Sequence, residues 1–156
     1  MTHATRFVAV IAVLVAIAVG AQAQTPEIDA LRFRADEGVA SAQSDLGVRY
    51  ANGDGVPKDD AEAMRWHRLA ADQGQAQSQY LLGRRYDLGV GVPQDYVEAH
   101  MWYDLAASRM IGEEPFAAVW SPSEARDGVA GRMDPAQLAE AQRRAREWDA
   151  AHPREP

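Results

Sequence analysis

A run of seven residues, Gly53-Asp54-Gly55-Val56-Pro57-Lys58-Asp59, returns as Gly89-Val90-Gly91-Val92-Pro93-Gln94-Asp95, 36 residues further along the chain. Aligning residues 36–71 with 72–107 leaves 19 identical positions out of 36, where about two would be expected by chance, so the chain carries an internal duplication. A unit of this size points to a stacked array of helices. Each unit then buries its apolar stripe against its neighbours and leaves a surface for binding.

Within a unit the identities are ordered. Ala40, Gln43, Leu46, Gly47 and Tyr50 recur at steps of three and four, one face of a helix, and Ala76, Gln79, Leu82, Gly83 and Tyr86 copy them. A glycine inside a helix costs about 1 kcal/mol relative to alanine. Gly47 and Gly83 therefore imply close helix contact, with a bulky ring from a neighbouring helix filling the space. Gly53 and Gly89 follow the periodic segment as left-handed C-terminal caps. Pro57 and Pro93 then hold the chain extended. Asp59 and Asp95 open a second helix, with Glu62 and Glu98 at the third position after them as an aspartate form of the capping box. That helix carries Ala63, Trp66, Leu69 and Ala70 as its buried stripe, copied as Ala99, Trp102, Leu105 and Ala106, and Gly74 ends it as Gly38 ends the segment before. Arg49 and Arg85 are the same in both units and are expected to tie one helix to its neighbour through Asp59, Glu62 or their copies.

The pattern Ala-x-x-Gln-x-x-Leu-Gly-x-x-Tyr-x-x-Gly-x-Gly-Val-Pro-x-Asp-x-x-Glu-Ala-x-x-Trp-x-x-Leu-Ala-Ala resembles the Sel-one-like repeat (SLR) family, a relative of the tetratricopeptide repeat. The match runs through both units from Ala40 to Ala107. The resemblance implies an all-α fold, an α/α superhelix of antiparallel helix pairs serving as an interaction scaffold, with the first helices lining its concave surface. Some exported members staple each helix pair with a disulfide. This chain has no cysteine, so that source of stability does not carry over.

Flanking segments complete the array. Residues 1–23 show one cation, Arg6, an apolar run from Phe7 to Val19, and Ala21-Gln22-Ala23 before Gln24, the parts of a signal peptide cleaved after Ala23. The run is short of the roughly 20 residues that span a bilayer, so no stable membrane anchor is expected after cleavage, and the protein is read as periplasmic or secreted. Residues 24–149 are the repeat domain: 27–38 form an N-terminal half-unit with Ile28, Leu31 and Phe33, 40–74 the first repeat, 76–108 the second, 110–122 an insert, and 123–149 C-terminal capping helices. Asp134-Pro135-Ala136-Gln137 starts the last helix with a cap, a first-turn proline and a capping-box Gln, and Leu138, Ala141, Ala145 and Trp148 share one of its faces. Residues 150–156 are expected to form a flexible tail.

The formal charge of −7 becomes −8 when Arg6 leaves with the signal, and an acidic surface disfavours nucleic acid and anionic lipid. Arg143, Arg144 and Arg146 read as a solvated helix end offsetting the helix dipole. The chain lacks a cysteine nucleophile, a Gly-x-Ser-x-Gly elbow and a His-Glu-x-x-His pair. Its Gly-x-Gly-Val-Pro turns follow helices, whereas a phosphate loop follows a strand. Beta-lactam recognition or hydrolysis has been attributed to some exported relatives, but a serine enzyme of that type needs Ser-x-x-Lys. Gly55 stands three residues before the only lysine, Lys58. His67 stands where the second unit has Tyr103, which predicts an aromatic-sized packing role. His100 and Asp104 share a helix face as a metal pair would, yet two donors fall short of a site. No catalytic, cofactor-binding or metal residue is assigned.

Positions where the two copies differ are free of the repeat's packing rules: Ser44 against Tyr80, Asp45 against Leu81, Val48 against Arg84, Asn52 against Leu88. The candidate partner-binding patch is Tyr80, Arg84, Asp87 and Leu88, with Trp120 near one end, because aromatic and arginine side chains anchor interfaces. Packing of Tyr80 and Leu81 on the adjacent unit is the competing explanation. The leading function is a monomeric, non-enzymatic scaffold for another protein in the cell envelope or outside the cell. The alternatives are an envelope hydrolase or receptor for beta-lactam or peptidoglycan-like compounds, and a subunit that stacks end to end.

Overall fold

The computed structural model of the protein describes residues 25–110 and 121–153, which form seven α-helices. The signal segment, Trp120 and nearly all of the insert lie outside the described residues. Helix α1 (Pro26–Asp36) precedes the first unit, made of α2 (Ala40–Asn52) and α3 (Asp60–Asp72). Helices α4 (Ala76–Leu88) and α5 (Tyr96–Arg109) make the second, and α6 (Pro122–Ala130) and α7 (Pro135–Ala151) follow. Each helix from α1 to α5 packs on the next, and α7 folds back onto α5. The architecture is the expected solenoid of helix pairs.

The repeated turn works as its residues dictate. Gly53 and Gly89 take the left-handed conformation, φ 81° and 66°, and return their N–H groups to the carbonyls of Arg49 and Arg85. The N–H of Asp59 then donates to the Tyr50 carbonyl at 2.9 Å, and that of Asp95 to Tyr86 at 3.0 Å, closing the loop on the helix just ended. The carboxylates of Asp59 and Asp95 each accept two amides of the next helix. The expected reciprocal arm of the capping box is absent, because the cap N–H is already committed to the tyrosine carbonyl. Glu62 instead pairs with Arg65, and Glu98 accepts from Trp102 Nε1 at 3.2 Å and pairs with Arg144 of α7 at 2.7 Å.

Rings do fill the space beside the helical glycines. A Cβ on Gly47 would lie 2.6 Å from His67 Cε1, and one on Gly83 would lie 2.7 Å from Tyr103 Cδ1. Both rings are buried. The duplicated Gln has an equally specific role. Gln43 Nε2 donates to the Ala35 carbonyl at 3.1 Å, and Gln79 Nε2 to the Ala71 carbonyl at 3.2 Å. Each Gln ties the first helix of a unit to the last turn of the helix before it. Around these ties, Leu46 and Trp66 pack with Ala35 and Ala42 in one cluster, and Leu82, Trp102 and Leu105 with Ala71 and Ala145 in another. Side chains of this size contribute about 1.5–3 kcal/mol each when fully buried.

Leu69, expected in the buried stripe of α3, is instead 40% exposed, although its copy Leu105 is buried. At the N-terminal end Ile28 is buried and Phe33 is exposed. At the C-terminal end both arms of the Asp134–Gln137 capping box are present. Helix α7 continues through Ala151, into the expected tail, and His152 stacks on Trp148 with ring centroids 4.1 Å apart. The arginine cluster is therefore not at a helix end. Arg143 pairs with Glu140 and Glu147, and Arg144 with Glu140 and Glu98. Arg109 of α5 locks the same helix, reaching Asp149 at 2.7 Å and lying over the Trp148 ring.

Candidate functional site

Stacking the two units leaves a groove between α2 and α4 with α3 beneath it, a cavity of about 400 Å³. Val48 and Asn52 come from α2, and Leu81, Arg84 and Leu88 from α4. The repeated turns supply Lys58 and Val90, and α3 supplies Asp60 and His67. The geometry follows from the repeat. First helices of successive units stand side by side, and the side chains that turn between them belong to neither unit's internal packing.

Arg85 sets the edge of this groove. Its guanidinium is nearly buried, donates to Asp60 Oδ1 at 3.0 Å, and approaches the Val90 carbonyl at 3.4 Å. The expected tie between helices exists, but its acid is Asp60 and not Asp59, Glu62 or their copies. In the first unit Arg49 likewise reaches back to the preceding helix, to Glu27 at 2.6 Å. His67 forms part of the floor. Burial, and next the Arg85 charge, lower its pKa to about 4, so the ring is neutral near pH 7.

Arg84 and Leu88 are both in the groove and exposed. Tyr80 and Asp87 lie on the other flank of α4. The Tyr80 ring sits 5.5 Å from that of Tyr103, and Asp87 pairs with Arg132 after α6 at 2.8 Å. Burial, then the neighbouring Asp87 and Tyr80, push the Tyr103 phenol well above its ordinary range. Trp120 is outside the described residues. Val48, Asn52 and Leu81 complete the groove although they were not in the expected patch. Their signal was in the sequence, since all three occupy positions where the copies disagree.

A second, more polar cavity of about 430 Å³ lies between α5, α6 and α7. His100 and Asp104 line it, but Asp104 is taken by Arg126 at 3.0 Å, and burial lowers the His100 pKa. Among the described residues no group of three His, Cys, Asp or Glu side chains is placed to hold a metal ion. The α2/α4 groove offers different chemistry: an aliphatic wall and cations at its rim, suited to holding a chain segment.

Known proteins carry the same architecture. Residues 40–75 and 76–109 match the Sel1 repeat family. The chain is similar to c5321, a protective antigen present in uropathogenic Escherichia coli strains displaying an SLR fold, with 30% identity and a TM-score of 0.68 over 78% of this chain and 25% of that one. It is also 39% identical to a Sel1 repeat protein from Oxalobacter formigenes over 48% of this chain and 31% of that one, with a TM-score of 0.47. This chain thus spans less than a third of either protein's length. No curated protein matches it. Sel1 repeats generally mediate protein–protein interaction. With two matching helix-pair units stacked at a 36-residue period, this chain is a Sel1-like repeat protein.

Proposed function

We propose that the protein is an exported, non-enzymatic scaffold that holds a segment of a partner protein in the groove between α2 and α4. The carrying observation is that Val48, Asn52, Leu81, Arg84 and Leu88, which line the groove, all stand at positions where the repeat copies differ. A surface released from repeat packing and concave between two first helices is where such arrays recognise their partners. Among the described residues the groove lining includes no serine, threonine or tyrosine, and its histidine is buried beneath the surface and neutral. These features favour holding a partner over attacking a substrate. The signal-like segment 1–23 supports export, with Gln24 as the first residue of the exported form.

A photoreactive residue at position 81, with one at exposed position 65 as control, tests this in intact cells. The expected outcome is one specific crosslinked protein at position 81, absent at 65. Equal crosslinking at both sites, or none at 81, would count against the groove. Mass spectrometry of the exported protein should give a chain starting at Gln24, and a retained N-terminus would refute cleavage.

A further inference from the structure

The charges around the groove identify the chemistry of what fills it. Arg85 is neutralised by Asp60 at 3.0 Å. Lys58 and Arg84, both exposed at the rim, make no ion pair or hydrogen bond among the described residues. Two uncompensated cations thus flank the aliphatic surfaces of Val48, Leu81, Leu88 and Val90, in a chain whose formal charge is −7. Elsewhere arginines are largely spent on local acids, as in the Arg126–Asp104 and Arg143–Glu140 pairs. The groove is a positive, apolar strip on an acidic molecule. Electrostatic complementarity steers and orients partners at such a surface.

Resting on the reading of this groove as the partner site, we infer that the segment it takes is an acidic, aliphatic stretch of another protein. Its Leu, Ile or Val side chains lie on Val48, Leu81 and Leu88, and its Asp or Glu carboxylates meet Lys58 and Arg84. Arg84 has the planar donor fork that matches a carboxylate, and Lys58 acts as a point charge.

Phage-displayed random dodecapeptides selected on the protein supply the probe, with affinities then measured by fluorescence anisotropy on the synthesised peptides. Enriched sequences should combine aliphatic residues with Asp or Glu, and should bind more weakly as salt rises. Arg84→Glu and Lys58→Glu alter exposed side chains and should fold normally by circular dichroism, yet each should weaken binding by about tenfold, the scale of one charge-assisted contact. Enriched peptides that need Leu81, shown by loss on Leu81→Asp, but carry no acidic excess, or whose affinity Arg84→Glu leaves unchanged, would overturn this inference while sparing the groove. Peptides that bind Leu81→Asp as well as the parent, or no enrichment at all, would overturn both.

Discussion

The ring of Tyr103 lies against the backbone of Gly83 so closely that a Cβ there would stand 2.7 Å from Cδ1 and 2.9 Å from Cε1. Tyr103 is buried and cannot swing away. Alanine at position 83 would gain about 1 kcal/mol of helix propensity but incur an overpacking cost of about 1–3 kcal/mol. Gly83→Ala is therefore expected to destabilise by up to about 2 kcal/mol in urea denaturation, and Gly47→Ala should do the same against His67. Gly128 of α6 is the control. It is exposed, and a methyl group added there would meet nothing within 4 Å, so Gly128→Ala should stabilise by up to about 1 kcal/mol.

Arg85 and Asp60 should be energetically coupled. Removing Asp60 leaves a nearly buried guanidinium with one weak carbonyl contact, and loss of a partner from a buried pair costs up to about 3–5 kcal/mol. Because Asp60 itself is about one-third exposed, solvent screening should reduce the cost of Asp60→Ala to about 1–3 kcal/mol. A double-mutant cycle on Arg85 and Asp60 should show coupling well above experimental error, whereas a cycle on Arg85 and Glu98 should show none, since Glu98 is held by Trp102 and Arg144.

His67 makes the fold sensitive to acid. Its folded pKa, about 4, lies below its ordinary 6.5 because burial and Arg85 disfavour the charged ring. Between those values the unfolded chain binds a proton that the native state refuses, so stability should fall as pH drops from 6.5 toward 4, by about 3 kcal/mol in all. His100 shifts in the same direction. His67→Tyr, which copies Tyr103 of the second unit, should flatten this slope in midpoint denaturant concentrations measured between pH 4 and 7. An unchanged slope would show that His67 does not titrate as described.

The duplicated Gln should contribute a measurable share of stability through its tie to the preceding helix. Gln79 is fully buried and donates to the Ala71 carbonyl, which also accepts from the N–H of Gly74 at 2.8 Å, so Gln79→Leu removes one of that carbonyl's two hydrogen bonds and should cost about 0.5–1.5 kcal/mol by thermal or chemical denaturation.

Much of the fold was legible because the chain states its rules twice. Comparing the copies exposed the Gly53 and Gly89 caps, the Asp59 and Asp95 caps, and the need for a ring beside Gly47 and Gly83, though not that His67 and Tyr103 supply it. What the comparison hid were contacts between positions that have no counterpart in the other unit. Asp60 aligns with Tyr96, so the Arg85–Asp60 pair leaves no repeated signature. Glu98 is claimed by Arg144, which lies outside the repeats. The lining of the α2/α4 groove was half legible for the same reason. Differences between the copies singled out Arg84 and Leu88, but sequence does not reveal which flank of α4 meets α5, and it is this that takes Tyr80 to Tyr103 and Asp87 to Arg132.

The account stands most directly on where a bound segment touches the protein. A methyl-labelled sample titrated with the tightest display-selected peptide reports this by NMR. The account predicts shifts at the methyls of Val48, Leu81, Leu88 and Val90, which line the groove, with Val129 and Leu138 unmoved. Shifts confined to Leu138, which lines the cavity between α5, α6 and α7, would contradict it.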